Sequence, residues 1–96
     1  MDKAEARTIL AAKLNEYRTW SYDQLRERVN EQDTVELAAP SGAIYQVEIQ
    51  YIWDDKPNGD IRVMGSIDDG GWRSFFPLDD SFIRALDGRF VGEDDS

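Results

Sequence analysis

Residues 43–68 read AIYQVEIQYIWDDKPNGDIRVMGSID, two alternating apolar runs that flank a Pro-Asn-Gly turn. A period of two places successive side chains on opposite faces of a β-strand. In residues 56–59 (KPNG), Pro at the second position and Gly at the last favour a type I turn followed by a left-handed glycine and a bulge. The stretch therefore predicts an antiparallel hairpin with strands at about 43–54 and 61–68.

Sequences that are typical of turns lie on both sides of this hairpin and predict further strands. Residues 39–42 (APSG) repeat the same Pro and Gly positions, and Asp69-Gly70 is a typical two-residue hairpin sequence. We expect these turns to add strands at about 34–38 and 71–77. The second part of the chain is thus predicted to be a four-stranded antiparallel meander.

Loop length decides which residues of neighbouring strands face each other. With three-residue and two-residue loops, every predicted apolar pair lies on one face of the sheet, and this agreement between turn chemistry and hydrophobic pattern supports the fold. The pairs are Val35 with Val47, Leu37 with Tyr45, Ile49 with Ile67, Tyr51 with Gly65, Trp53 with Val63, Ile67 with Trp72, and Val63 with Phe76.

The first part of the chain has helical periodicity and predicts a helix over about residues 3–18. Ser21 and Gln24 then have the spacing of a capping box, which starts a second helix that ends at about residue 29 or 30. The apolar stripe of the first helix consists of Ala6, Ile9, Leu10, Leu14 and Tyr17.

The predicted fold is α+β, with two N-terminal helices packed on one face of the four-stranded meander. Residues 79–81 (DDS) can cap a short C-terminal helical turn, and residues 89–91 form a possible fifth strand. We interpret residues 1–92 as a single domain and residues 93–96 as an acidic tail.

The 96-residue chain carries 20 Asp and Glu against 11 Lys and Arg, a formal charge of −9, and has neither His nor Cys. All the excess negative charge falls in residues 32–96. This charge disfavours binding to nucleic acid and to anionic membranes. The missing residue types exclude Cys/His zinc sites, Ser-His-Asp and Cys-His catalysis, and thiol chemistry. We expect no enzymatic activity and no cofactor.

Acidic residues concentrate at the predicted turns, strand ends and tail. Residues 54–60 resemble part of a calcium-binding loop, but Lys56 occupies a ligand position and Gly65 stands where a bidentate Glu is needed. A hydrolase with two carboxylates would need a cleft between them, which one thin sheet does not offer. The adjacent acidic pairs are Asp54-Asp55, Asp68-Asp69, Asp79-Asp80 and Asp94-Asp95.

The opposite face of the predicted sheet carries the candidate binding site. There Ile52, Met64 and Phe75 align across three strands, bordered by Arg62 and Arg73. Aromatic residues, Met and Arg are enriched at protein interfaces, so these five residues are the predicted site. In the alternative interpretation the C-terminal segment covers this row through Phe82, Ile83 and Phe90.

The motifs WDD at residues 53–55, SIDDGGW at 66–72 and Pro77-Leu78 resemble small bacterial domains of unknown function. The resemblance covers about the last half of the chain and implies no activity and no catalytic residue.

Together these features favour a non-enzymatic, acidic protein-binding module that neutralises or regulates a partner with a basic or neutral surface. The alternative is a domain that binds a small ligand or a divalent cation through its acidic turns. The first five residues (MDKAE) are charged rather than signal-like, so we expect a cytoplasmic location and no membrane or nucleic-acid partner.

Overall fold

The computed structural model describes residues 2–70 and 77–93, which form two helices followed by four strands. The strands make one antiparallel sheet in the order β1-β2-β3-β4. The predicted α+β class, with two helices and a four-stranded antiparallel sheet, is confirmed. The elements are α1 (Lys3–Arg18), α2 (Tyr22–Glu27), β1 (Gln32–Ala38), β2 (Ile44–Trp53), β3 (Ile61–Asp68) and β4 (Leu78–Arg84).

Both helices begin at the caps that local chemistry dictates. At the start of α1, Asp2 Oδ1 accepts a hydrogen bond from the Glu5 N–H at 3.1 Å. At the start of α2, Ser21 Oγ accepts from the Gln24 N–H at 3.1 Å, and Gln24 Oε1 accepts from the Ser21 N–H at 2.8 Å. The predicted first helix and the predicted capping box are therefore confirmed.

The second helix ends at Glu27, two or three residues earlier than predicted. Asn30 has a φ of 73°, and its N–H donates to the carbonyl oxygen of Tyr51 at 2.8 Å. The chain thus leaves the helix because a tertiary hydrogen bond to β2 takes the donor that another helical turn would have used.

The turn between β1 and β2 has the predicted geometry. The Gly42 N–H donates to the Ala39 carbonyl oxygen at 2.9 Å, and Gly42 has a φ of 92°. A left-handed Gly after a type I turn makes a three-residue loop with a bulge. The predicted pairs, Leu37 with Tyr45 and Val35 with Val47, are confirmed.

The turn between β2 and β3 differs from the prediction. The Gly59 N–H donates to the Lys56 carbonyl oxygen at 3.1 Å, but the left-handed residue is Asn58, with a φ of 65°. Positive φ at the third position is the signature of a type II turn, which Asn tolerates. The ladder closes where the Asp54 N–H donates to the Asp60 carbonyl oxygen at 2.9 Å, so the loop is longer than predicted.

The longer loop shifts the β2–β3 register by two residues. Tyr51 lies opposite Val63 rather than Gly65, and Ile49 lies opposite Gly65 rather than Ile67. The predicted pair of Trp53 with Val63 is likewise wrong, because Trp53 pairs with Ile61. Since a shift of two preserves the side-chain alternation, every residue keeps its predicted face.

The partner of β3 on its second edge is β4, not the predicted strand 71–77. Residues 71–76 lie outside the described residues, and with them the pairs predicted for Trp72 and Phe76; among the described residues, Ile67 pairs with Leu78 and Val63 with Phe82.

The short helical turn predicted after residues 79–81 is wrong for the same reason: this segment belongs to β4. As a strand, the segment pairs with residues 61–67 of β3. It also buries Phe82, which is 3% exposed. If this segment were helical, the backbone N–H and C=O groups along this edge of β3 would lose these hydrogen-bond partners.

Downstream of β4 the chain doubles back along the sheet edge. An isolated antiparallel bridge joins Arg84 to Phe90, and the Val91 N–H donates to the Ile83 carbonyl oxygen at 2.9 Å. The predicted fifth strand, residues 89–91, therefore pairs with β4 through one bridge in the described part of the chain.

The core lies between the sheet and the helices. Helix α1 crosses β3 and β4, and its Leu10 and Leu14 meet the sheet at Gly65. Burial of this apolar surface is the main term that stabilises the fold. The sheet contributes Tyr45, Val47, Ile49, Tyr51, Ile61, Val63, Ile67 and Phe82 to the core, and the helices contribute Ala6, Leu10, Leu14, Tyr17, Tyr22 and Leu25.

Candidate functional site

We refer to the sheet face that points away from α1 as the outer face. Its side chains alternate with the buried ones along each strand and are exposed or partly buried. The outer residues of β2 from Ile44 to Gln50 are exposed, and Ile52 at the end of the strand is partly buried. The described residues of the predicted binding site lie on this face.

Three of the five predicted site residues lie among the described residues. Ile52, Arg62 and Met64 all have partly buried side chains on the outer face. Phe75 and Arg73 lie outside the described residues.

The register shift rearranges this apolar row. Ile52 lies opposite Arg62, which in turn lies opposite Ile83 of β4, and Met64 lies opposite Gln50 on one side. Ile52 and Met64 are therefore diagonal neighbours rather than a directly facing pair, a spacing that long side chains still bridge. The apolar end of the outer face consists of Ile52, Arg62, Ile83 and Met64, and Ile83 is the member that sequence reasoning assigned to a covering segment.

Arg62 is held in one position at the centre of this apolar end. Its Nε donates to Asp54 Oδ1 at 2.9 Å, its Nη2 lies 2.8 Å from the same oxygen, and its Nη1 donates to Ser81 Oγ at 3.0 Å. Asp54 and Arg62 therefore form an ion pair. The carboxylate that sequence analysis compared with a calcium ligand is therefore already engaged by an arginine.

The other end of the outer face is acidic. Glu36 lies in a cross-strand row with Asp68, and Glu48 lies in the next row with Asp79. On the outer face of the four described strands, Arg62 is the single cationic residue. A shallow depression of about 120 Å³ lies between the acidic and apolar ends, lined by Glu48, Gln50, Met64, Gly65, Ser66 and Asp79.

The C-terminal segment does not cover this face where the structure describes it. Phe82 points into the core, and Phe90 packs edge to face on Phe82 with 5.7 Å between ring centroids. The guanidinium of Arg18, at the end of α1, lies 4.8 Å from the Phe82 ring and 5.0 Å from the Phe90 ring. Two of the three residues invoked as a cover therefore pack on the helix side of the sheet, and Ile83 extends the outer face.

The carboxylates of Asp54, Asp68 and Asp87 accept hydrogen bonds from within the protein. Arg89 donates to the Asp87 carboxylate from its backbone N–H at 3.0 Å and from Nε at 2.8 Å, and the backbone hydrogen bond in particular lowers the pKa of Asp87. Across residues 2–70 and 77–93, no group of three or more Asp or Glu side chains is placed to hold a metal ion.

An ionic cluster on the inner side of β1 was not predicted. The Tyr51 hydroxyl donates to Asp33 Oδ2 at 2.7 Å, and Arg28 binds the other oxygen of the same carboxylate. Arg28 also lies over the Tyr51 ring, 5.2 Å from its centroid. Burial, reinforced by the hydrogen bond to Asp33, raises the pKa of Tyr51 well above its ordinary value. Sequence carries no signal for this cluster, because its members come from three separate elements.

No helix in the described part of the chain is long and apolar enough to cross a membrane. Comparison with known protein families, with curated proteins and with solved structures gives no match to this chain.

Proposed function

We propose that this chain is a non-enzymatic, acidic protein-binding module that docks a partner with a basic surface on the outer face of its sheet. The observation that carries the proposal is the division of that face into an apolar end, Ile52, Arg62, Ile83 and Met64, and an acidic end. A cytoplasmic location and a neutralising or regulatory role toward the partner belong to the same proposal.

The two ends have different roles in binding. Apolar side chains and a preorganised arginine supply the buried contacts on which affinity depends. Arg62 loses little side-chain freedom on binding because Asp54 and Ser81 already hold it. The carboxylates attract a basic partner from a distance and raise the rate of encounter, an effect that salt screens. Phe75 and Arg73 stay part of the predicted site.

Site-directed photocrosslinking tests the location of the site. A photoreactive amino acid at Met64 should give a discrete crosslinked partner in an extract of the source cell. The same group at Ala11, an exposed position on α1, is the matched control and should not. Equal crosslinking from both positions, or crosslinking from Ala11 alone, would contradict the proposal.

Binding kinetics with the purified partner test the division of roles. Met64→Ala should raise the dissociation rate, whereas added salt should mainly slow association. Ile44→Ala is the matched control, because Ile44 is an apolar outer-face residue, 48% exposed, at the opposite end of β2. If Ile44→Ala weakened binding and Met64→Ala did not, the apolar end would not be the site.

A further inference from the structure

Strand β1 lies at one edge of the sheet. It pairs with β2 along its whole length, from Gln32 to Ala38, and no described strand pairs with its other side. The backbone groups along a free edge can form a ladder with another extended chain. Seven paired residues make β1 long enough for an added strand to form a ladder of its own.

The helix layer leaves the inner side of this edge open. Helix α1 packs on β3 and β4, so Val35 and Leu37 on β1 are only partly buried. Between α1 and β1 lies a groove of about 230 Å³, lined by Ile9, Ala12, Lys13, Glu16, Leu37 and Ala38. Lys13 and Glu16 pair with each other, Nζ to Oε2, at 2.9 Å. The remaining lining is apolar.

The outer side of the same edge is acidic. Glu36 is exposed on β1, and Glu48 of β2 lies opposite Thr34. Neither β1 nor β2 contains a Lys or Arg. An added strand would therefore place one set of alternate side chains toward the apolar groove and the other set on the acidic side, beside Glu36.

We infer that β1 binds an extended segment of another protein in which apolar and basic side chains alternate. Apolar residues of the segment would enter the groove beside Ile9 and Leu37, and basic residues would face Glu36. A second copy of this chain is the poorer occupant, because each copy carries a charge of −9 and would repel the other. This site is separate from the apolar end of the outer face.

Short synthetic peptides test the inference without changing the protein. The probe is a capped seven-residue peptide of alternating lysine and leucine, and the control has the same composition with its leucines adjacent. In a nitrogen-15 NMR titration of the full chain, the alternating peptide should shift the amides of residues 32–38 and leave Ile52 and Met64 unchanged. Equal binding of the two peptides would show electrostatic adsorption only and would overturn the inference, as would shifts that map to the apolar end of the outer face instead of residues 32–38.

Backbone methylation of the probe tests for strand addition. Alternate residues of an added strand direct their N–H groups toward the same neighbour. Methylating one alternate set of amides should therefore abolish binding, and methylating the other set should not. Equal effects of the two sets would rule out a hydrogen-bonded ladder on β1.

Two variants of α1 test the groove. Ala12→Arg fills the groove, and Ala11→Arg adds the same charge to an exposed position outside its lining. We expect Ala12→Arg to weaken peptide binding about tenfold or more relative to Ala11→Arg. Equal affinities would contradict the inference, and so would a dimer of the chain alone that Ala12→Arg dissociates. Neither result bears on the outer-face proposal, which the Met64 variants test separately.

Discussion

Gly65 lies on the inner face of β3, directly beneath α1. A Cβ atom at this position would come within 2.8 Å of Leu10 Cδ1, 3.2 Å of Leu14 Cδ2 and 3.3 Å of Ile49 Cδ1. Glycine inside a strand often marks such a close approach. The residue therefore sets the distance between the helix layer and the sheet.

Gly65→Ala should lower the free energy of unfolding by about 1–3 kcal/mol, because the buried Leu10 side chain must shift to admit the methyl group. Urea denaturation measures the change. Leu10→Ala removes the nearest atom, so the double variant should be less destabilised than the sum of the two single changes. Additive effects would show that Gly65 and Leu10 are not in steric conflict.

The Ser21 hydroxyl stabilises the start of α2 by accepting a hydrogen bond from the Gln24 N–H. Ser21→Ala removes one half of the capping box and should lower stability by roughly 0.5–2 kcal/mol. Ser21→Asp is the control, since Asp is an equally good N-cap and should retain most of the stability. A thermal or urea transition that falls equally for both variants would refute a capping role.

At the scale of elements, the β2–β3 turn decides the register of the central hairpin. Asn58 adopts a left-handed conformation with a φ of 65°, and Tyr22 supports the loop by donating a hydrogen bond from its hydroxyl to the Gly59 carbonyl oxygen at 2.6 Å. Helix α2 therefore stabilises the same loop that aligns β2 with β3. The helix and the turn reinforce each other.

Asn58→Ala should destabilise the fold by about 1 kcal/mol, because a side chain with a Cβ and no local hydrogen bonding disfavours the left-handed region. Asn58→Gly should be close to neutral or stabilising, since glycine adopts positive φ freely. Urea denaturation of the two variants gives the comparison. Equal losses would indicate that the Asn side chain, rather than its backbone conformation, stabilises the turn.

At the scale of the whole molecule, the protein is a thin slab with extents of 40, 31 and 19 Å. One helix layer covers part of one sheet face. The polar atoms of the core are tyrosine hydroxyls at its margin: Tyr45 donates to Glu5 Oε1 at 2.9 Å, and Tyr51 donates to Asp33. These hydroxyls connect the core to the acidic surface.

Alkaline pH should destabilise the protein through these tyrosines. Burial and the neighbouring carboxylates raise the pKa of Tyr45 and Tyr51 above the ordinary value of 10.0. Above pH 10 the unfolded chain therefore holds fewer protons than the folded one, and the free energy of unfolding falls as pH rises. Burial also raises the pKa of Tyr22, so tyrosinate absorbance should show three of the four tyrosines ionising above pH 10, together with unfolding. Ionisation of all four near pH 10 in a protein that stays folded would contradict this.

Sequence by itself determined the features that depend on near neighbours. The bounds of α1, the capping box at Ser21 and the β1–β2 turn at Gly42 follow from interactions within a few residues. The face of each β2 and β3 residue follows from a period of two. A shift in register of two residues does not change this alternation. The candidate residues Ile52, Arg62 and Met64 were placed on the correct face for this reason.

Tertiary structure decided between local conformations that the sequence of a short segment does not distinguish. Residues 56–59 suit a type I or a type II turn, and in the fold they adopt the type II form, with the Tyr22 hydroxyl bound to the Gly59 carbonyl oxygen. The pairing of residues 78–84 with β3, which buries Phe82 in the core, also depends on packing between distant parts of the chain. The pairing of Asp54 with Arg62 and the open edge of β1 are likewise products of strand order and helix placement, which no local pattern encodes.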